Sequence, residues 1–426
     1  MDRMDTTNRL RGKDNRYSVA DIWVPAVLCL YISITNLNGA LFALPFVAFC
    51  LGYAILMPIQ KTVGILLVNM VFLGYSYINL GPSIGISNYG FTHLCYLMVG
   101  VRALLGSELL RGKLKLSFVK LPFLLLALYL VLRHLTVSSE NGIYELAMMM
   151  CIWYLLLSCK DDRMKQSLAI QFVTTVLLVF VYYIFQHGIY EPDSSGRFPG
   201  VRDANNFALH CNLCIVMWNG FCRDVPGKAK RIVNIILIIG VLITGSVSGV
   251  ATMLVILAML LLDKNRKMAS GLLVVVAVLI IVLLTVVFVP LEKLAGMGGI
   301  VERFVKVAQQ LTEGDLQSAT TGRYGLWEFY MEEFTSFSPK NKLFGDLSAV
   351  NRIMEMTSYA SHNAYVDYLL SYGIVGMVLL VINILHRIVT HLVRKEKILL
   401  LLNLVIVVNA FFRTLSGIGF WLPILM

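Results

Sequence analysis

Charge is scarce in this 426-residue chain: Asp, Glu, Lys and Arg supply 14% of it, against 58% hydrophobic residues. A soluble domain carries about 25% charged residues, and a mean hydropathy of +0.75 excludes an ordinary water-covered surface. Internal repeats of fixed period and low-complexity linkers are also missing, so residues 1–426 read as one membrane domain. Asp-x-Asp does not occur, so no acidic motif suited to gripping a divalent cation is visible. The basic residues Arg3, Arg9, Arg11, Lys13 and Arg16 lead into an apolar stretch without an A-x-A-like cleavage site, which predicts an anchoring helix rather than a cleaved signal. Cysteine is absent from the polar stretch 291–362, and all eight cysteines lie in or beside apolar runs, which argues against a disulfide framework. His210-Cys211-x-x-Cys214 has a metal-like spacing but sits in an apolar helix with no second ligand pair, so buried small side chains are the preferred reading.

What is present is a succession of apolar segments of near-spanning length: 21–36, 40–59, 62–80, 89–106, 117–132, 144–159, 167–188, 205–222, 232–246, 249–262, 269–290, 363–385 and 398–412, with a short tail at 414–426. They predict an all-α polytopic membrane helix bundle of about 12–14 transmembrane helices. A net charge of +11 suggests nucleic acid at first sight, but the placement of the charges excludes it. With the N-terminus in the cytoplasm, alternate loops hold Arg111, Lys113, Lys115 and Lys120; Lys160, Arg163 and Lys165; Arg223, Lys228, Lys230 and Arg231; Lys264, Arg266 and Lys267; and Arg387, Arg394, Lys395 and Lys397. Together with Lys61 and the N-terminal tail these are 24 of the 36 basic residues, against 10 on the other side. This is the positive-inside asymmetry. It places residues 189–204 and the large polar loop 291–362 together on the outer face.

Within the large loop, residues 300–308 have helical spacing. A second helix is expected from about Thr321 to Phe334, with Leu326, Trp327, Tyr330 and Phe334 on its apolar side. Such helices could lie in the headgroup layer or form a plain structural cap. Thr244-Gly245-Ser246-Val247-Ser248-Gly249 splits a longer apolar run. It suits a tight turn or a break opening toward a cavity, and the turn is preferred.

Three constellations share the outer face. Gly196-Arg197-Phe198-Pro199-Gly200-Val201-Arg202-Asp203-Ala204-Asn205 sets two arginines in a Gly/Pro-shaped loop at a helix start. The planar guanidinium fork suits phosphate oxygens, although each arginine alone is more simply a partner for lipid headgroups or for Asp203. Thr321-Gly322-Arg323 with Trp327 is the second. Ser361-His362-Asn363-Ala364-Tyr365 is the third; there an interfacial histidine can accept a proton near neutral pH or merely be solvated. Asp367 is expected to point away from His362. Two arginines and a histidine without a carboxylate cluster suit one reaction class: arginines stabilise a departing diphosphate while histidine takes the proton of an attacking sugar hydroxyl.

At these residues the chain resembles the O-antigen ligase and O-antigen/capsule polymerase superfamily of bacterial inner-membrane glycosyltransferases. The pattern is R-x-x-G (Arg197, Gly200) and D-x-N with Phe-Ala (Asp203, Asn205, Phe207, Ala208), then G-R-x-x-x-W (Gly322, Arg323, Trp327). L-F-G (Leu343, Phe344, Gly345), H-N-x-Y (His362, Asn363, Tyr365) and G-I-x-G (Gly373, Ile374, Gly376) follow. The order covers roughly residues 190–380. Relatives often carry Ser-Arg in the mid-chain turn where this chain has Ser246-Val247-Ser248, so that arginine is absent or its part is taken by Arg202.

The resemblance implies a lipid-dependent (GT-C-like) glycosyltransferase fold with one large helical periplasmic loop, in the bacterial inner membrane. It implies transfer of an undecaprenyl-diphosphate-linked oligosaccharide to a sugar hydroxyl, with no metal or other cofactor. Arg197 (or Arg202) and Arg323 would grip the diphosphate and His362 would act on the acceptor, with Asp203, Asn205, Asn363, Tyr365 and Trp327 lining the substrate site. The implied partners are the lipid-linked substrate, membrane lipid, and the chain-length regulator and flippase of the same pathway. The implied product is a surface polysaccharide: O-antigen of lipopolysaccharide, capsule or exopolysaccharide. Polymerase is preferred as the more numerous branch; a ligase acting on lipid A core shares the motifs. A flippase of the lipid-linked oligosaccharide is the reading from another class, against which stand the missing repeats and charges gathered mostly at helix ends.

Overall fold

A computed structural model describes residues 20–57, 80–85, 121–136, 162–187, 204–222, 224–264 and 323–411, with isolated positions at 91–98 and 306–317. Arg197, Arg202 and Asp203 lie outside the described residues, as do the spans expected at 144–159 and 269–290 and all but a few positions of the helix expected at 300–308 and of the spans at 62–80 and 89–106. Among the described residues every regular element is helical: α1 Ala20–Thr35, α2 Ala40–Leu56, α3 Leu121–Thr136, α4 Asp162–His187, α5 Ala204–Phe221, α6 Gly227–Ile243, α7 Val247–Lys264, α8 Arg323–Ser336, α9 Pro339–Phe344, α10 Ala349–Thr357, α11 Ala364–Val393 and α12 Lys397–Ala410, plus a single turn at Gly81–Ile84. Among the described residues two helices, Met164–Phe185 within α4 and Ala364–Val393, are long and apolar enough to cross a membrane; α1, α2, α3, α12 and Val247–Leu260 of α7 are shorter apolar helices.

Helix α5 lies at the centre. Most of its residues from Ala204 to Gly220 are buried, the polar His210 and Asn212 included, which places protein rather than lipid around it. Its neighbours are α4, α6, α7 and α12. Small residues let them come close: Gly249 of α7 sits against Ala208, and Gly240 of α6 sits against Cys211. His210 stands edge-on to the ring of Phe172, 5.5 Å between centroids. The segment around Thr244-Gly245-Ser246 is a tight turn, with Gly245 at φ +60° and Ser246 Oγ accepting the Gly249 N–H at 3.1 Å.

Polar pairs set helix direction. Asp21 of α1 accepts from Ser167 and Gln171 of α4, both at 2.8 Å. At the far end of the same two helices Tyr182 Oη donates to Asn36 Oδ1 at 3.2 Å. The two therefore run side by side in the same direction. One end of the bundle gathers the starts of α5, α7 and α11 with the end of α12. Asn212 Nδ2 donates to Gly249 O at 2.8 Å, Asn409 Nδ2 to Thr252 Oγ1 at 3.3 Å, and Tyr365 Oη to Val407 O at 2.9 Å. The other end joins α5 to α6 and α12, through Lys230 Nζ on Cys222 O at 3.2 Å and through Gly220 against Ile398.

Helix α11 departs from expectation. The apolar run suggested a helix ending at 385 with Arg387 in a loop beyond it. The helix instead continues to Val393 and stops at the Arg394-Lys395 turn, where Lys395 has φ +57°. Nothing in His386–Val393 breaks a helix, and Arg387 and His391 are buried. The outward face of α11 is apolar: Ile374, Val378, Val381, Ile382, Leu385, Val389 and Leu392 are exposed, while Asn383, Arg387 and His391 point inward. Exposed apolar faces continue on α1 (Trp23, Leu30, Ile34), α2 (Leu41, Leu44, Leu56) and α3 (Leu128, Leu135). A water-soluble helix has the opposite polarity.

The helix also breaks at Gly373, whose φ of 66° and ψ of −169° lie in a region that only glycine occupies readily. The loop turn at Gly345 (φ +78°) packs backbone to backbone against the break. A Cβ on Gly345 would collide with Ser371 and Tyr372, and one on Gly373 with Gly345 and Leu343. Gly373→Ala should therefore cost about 1–3 kcal/mol from backbone strain alone, with the collision added. The expected outcome is a clear fall in the unfolding temperature of the purified protein, whereas Ile374→Ala on the exposed face should cost far less.

Candidate functional site

Elements α8 to α10 sit on the first turns of α11 through a small core of their own. Tyr330, Phe337, Ala349, Ile353 and Leu370 are buried there, flanked by Leu326, Phe334, Val350 and Val366. The expected apolar side of the second loop helix is thus the side that docks; the described helix runs Arg323–Ser336, and Thr321 lies outside the described residues. The Gln317 side chain accepts the Gly325 N–H at 2.6 Å and satisfies one of the donors orphaned at the start of α8. Helix α9 opens with Ser338 as N-cap and Pro339 in the first turn, and ends at Gly345.

Three of the sequence-predicted residues form the frame of the site. Trp327 is half-buried and its Nε1 donates to Ser361 O at 2.8 Å. Asn363 is buried and caps α11, its Oδ1 accepting from the backbone N–H of Tyr365 at 3.0 Å and of Val366 at 3.3 Å. Tyr365 holds Val407 O and packs its ring on Phe411, 4.5 Å between centroids. Asp367 turns back toward the stretch rather than away from it: Ser361 Oγ donates to Asp367 Oδ1 at 2.6 Å and accepts the Asn363 N–H at 2.9 Å.

Inside this hydrogen-bonded turn His362 is held at φ +52° and is half-exposed. A left-handed histidine costs on the order of 1–2 kcal/mol, and such strain persists only where its surroundings enforce it. Arg323, also half-exposed, is one helical turn before Trp327 and so on the same side of α8. The Trp327–Ser361 bond thereby brings the turn bearing Arg323 beside the turn bearing His362. Asn205 is half-buried in the first turn of α5, at the same end of the bundle.

Sequence reasoning missed a group on α3. Arg133 Nη2 donates to Gly345 O at 2.9 Å, Tyr129 Oη to Tyr372 O at 2.6 Å, and His134 Nε2 lies 3.1 Å from Tyr372 Oη. Among the described residues the buried Arg133 Nε has no hydrogen-bond partner. The available signal was a basic pair, Arg133-His134, closing an apolar run on the face where basic residues are rare.

The site's electrostatics outside the helices of spanning length are simple. Burial pushes the Tyr330 phenol up to about 12, with the Asp367 charge adding to the effect. Its hydroxyl donates to Tyr359 O at 3.0 Å, so Tyr330 is a structural donor and not an acid near neutral pH. Asp346 binds the loop to α11 through its backbone N–H on Leu370 O at 2.8 Å. Burial raises its carboxyl, but hydrogen bonds from Ser348 and Arg352 outweigh that and hold it below the usual carboxylate range. Arg352 Nη1 reaches Asp346 Oδ2 at 2.7 Å and its other terminal nitrogen Glu333 at 3.6 Å.

No family model matches the chain, and neither curated proteins nor solved structures give a match. The geometry therefore has to stand on the residues of this chain.

Because the folded Asp346 titrates below its unfolded value, its contribution to stability is present above the ordinary carboxylate range and lost as pH falls through the folded value. Asp346→Asn should lower stability at pH 7 and reduce its loss between about pH 5 and pH 2; an acid titration of unfolding temperature checks both. Asn363→Ala, which removes the cap of α11, should cost about 1 kcal/mol, measured in the same way.

Proposed function

We propose that this chain is a multi-pass membrane glycosyltransferase that joins undecaprenyl-diphosphate-linked oligosaccharide repeat units into a surface polysaccharide. One observation carries the reading. The motifs G-R-x-x-x-W, L-F-G, H-N-x-Y and G-I-x-G are separate in sequence, yet Trp327 bonds Ser361 beside His362 and Gly345 seats on Gly373. Residues brought together in this way have a shared task. The apolar outward faces of α1, α2, α3 and α11 support a polytopic bundle with lipid around it. The placement of basic residues supports an inner membrane, a cytoplasmic N-terminus and a periplasmic site.

In the proposed reaction an acceptor sugar hydroxyl attacks the anomeric carbon of the donor glycan. The bond from that carbon to the diphosphate oxygen breaks, and undecaprenyl diphosphate leaves with the electron pair. The His362 imidazole takes the hydroxyl proton, while Arg323, with Arg197 or Arg202 from the outer loop, stabilises charge building on the diphosphate. Trp327, Asn363 and Ser361 keep the His362 turn in place.

The topology is tested by reporter fusions at Ser318 and Lys228, which should report opposite compartments; the same compartment for both would remove the shared outer site. The chemistry is tested with purified protein and lipid-linked repeat units. Arg323→Lys keeps the charge but loses the planar fork, and Arg323→Ala should slow turnover by on the order of 10²–10³. His362→Ala should cost about 10²–10⁴-fold; near-normal turnover by both variants would overturn the assignment. In a deletion strain, a single repeat unit left on lipid A core identifies a polymerase, free lipid-linked polymer a ligase, and cytoplasmic lipid-linked units a flippase.

A further inference from the structure

Far from the site just described, at the opposite end of α11, the structure buries a charge that has no ion-pair partner among the described residues. Arg387 is 6% exposed, and among the described residues its Nε and Nη2 have no hydrogen-bond partner. Among the described residues no carboxylate lies within ion-pair distance of it. The nearest candidate, Glu396, is engaged elsewhere: its Oε2 is 2.7 Å from His391 Nδ1. Asn383 is 1% exposed with both amide atoms unpartnered, and His391 is 3% exposed with Nε2 unpartnered. Spacings of four residues put Asn383, Arg387 and His391 in one line along the inward face of α11. Arg394, seven residues beyond Arg387, continues the line to the exposed end of the helix.

An isolated buried guanidinium is costly, and unmade hydrogen bonds to a buried amide add to that. The helix dipole does not compensate, because its effect is confined to the last turn, and Arg387 lies more than one turn before Val393. The donor set left over is a guanidinium edge and an amide N–H, with an imidazole at one side. That is a phosphate-binding set: planar charged donors for two oxygens and a neutral donor for a third.

We propose that Arg387, with Asn383 one turn before it and His391 one turn after it on the inward face of α11, binds a phosphate group drawn in between the helices past Arg394, free or carried by an anionic lipid headgroup. It is a second anion site, separate from the Arg323–His362 site and independent of the glycan reaction.

The test uses the full-length protein in nanodiscs. In phosphatidylcholine discs, titration with inorganic phosphate should raise the unfolding temperature if the ligand is the free ion. A rise that needs discs containing phosphatidylglycerol identifies the headgroup. Arg387→Gln should weaken the responding ligand by on the order of tenfold or more, and Asn383→Leu should weaken it to a smaller extent. In phosphate-free phosphatidylcholine discs Arg387→Gln should be at least as stable as the parent, since it removes an uncompensated buried charge; a purely structural arginine would give a loss. No response of the parent to either probe overturns the proposal, as does an Arg387→Gln response equal to the parent's. Should Arg387→Gln fail to accumulate, Asn383→Leu decides: an unchanged response overturns the proposal and a weakened one supports it.

Discussion

The contact between Gly345 and Gly373 is the constraint on which the end of the molecule that holds the candidate site depends. A helix broken at Gly373 exposes backbone carbonyls that a continuous helix would satisfy, and buried polar groups left unpaired are costly. The loop and α3 supply the missing partners: the Asp346 N–H of the loop takes Leu370 O, and Tyr129 Oη of α3 takes Tyr372 O. Only an approach without side chains brings the two backbones this close, so both positions have to be glycine. Arg133 then closes the assembly from α3 by holding Gly345 O. The loop is thereby fixed to two helices at once, and the His362 turn inherits its position from that fixation.

The sequence made the helical class and most helix limits legible, because apolar runs and small-residue turns carry them directly. The run at 205–222 appears as Ala204–Phe221, and the split at Thr244–Gly249 appears as a turn. The end of α11 was misjudged because hydropathy scores Arg387 and His391 as loop residues, whereas α11 buries them on its inward face. In the candidate site the residue types were legible but their duties were not. Asn363, Tyr365 and Trp327 are polar or aromatic residues beside a histidine, which reads as a substrate pocket; the structure adds that Asn363 Oδ1 caps a helix, Tyr365 Oη holds the Val407 carbonyl and Trp327 Nε1 the Ser361 carbonyl. Arg133 was invisible for a different reason. Its relation to Gly345 spans more than two hundred residues, and no local pattern encodes a contact of that range.

Helix α11 shows how one sequence serves two solvents. Its outward face is branched and apolar from Ile374 to Leu392, and its inward face carries amide, guanidinium and imidazole. In water this arrangement would leave a large apolar area exposed and a charge stranded. In the proposed bilayer setting the apolar face meets acyl chains at no cost, and polar side chains are kept from hydrocarbon by the neighbouring helices.

The position of the break in α11 also acts as a depth gauge. From Ile374 to Val393 the helix rises about 30 Å at 1.5 Å per residue, which is the thickness of the hydrocarbon layer of a typical bilayer. On the proposed topology the break therefore lies at the outer boundary of that layer, and the turn from Ala364 to Tyr372 stands in the headgroup zone with Tyr365, Tyr368 and Tyr372 along it. On the proposed reaction, a polyprenyl carrier with its tail among the acyl chains would raise its diphosphate through the headgroup zone along this segment, to Arg323 and the His362 turn at its start. The donor would need no lifting out of the membrane to react, and the height at which the glycan is cut from its carrier would be set by the placement of one glycine.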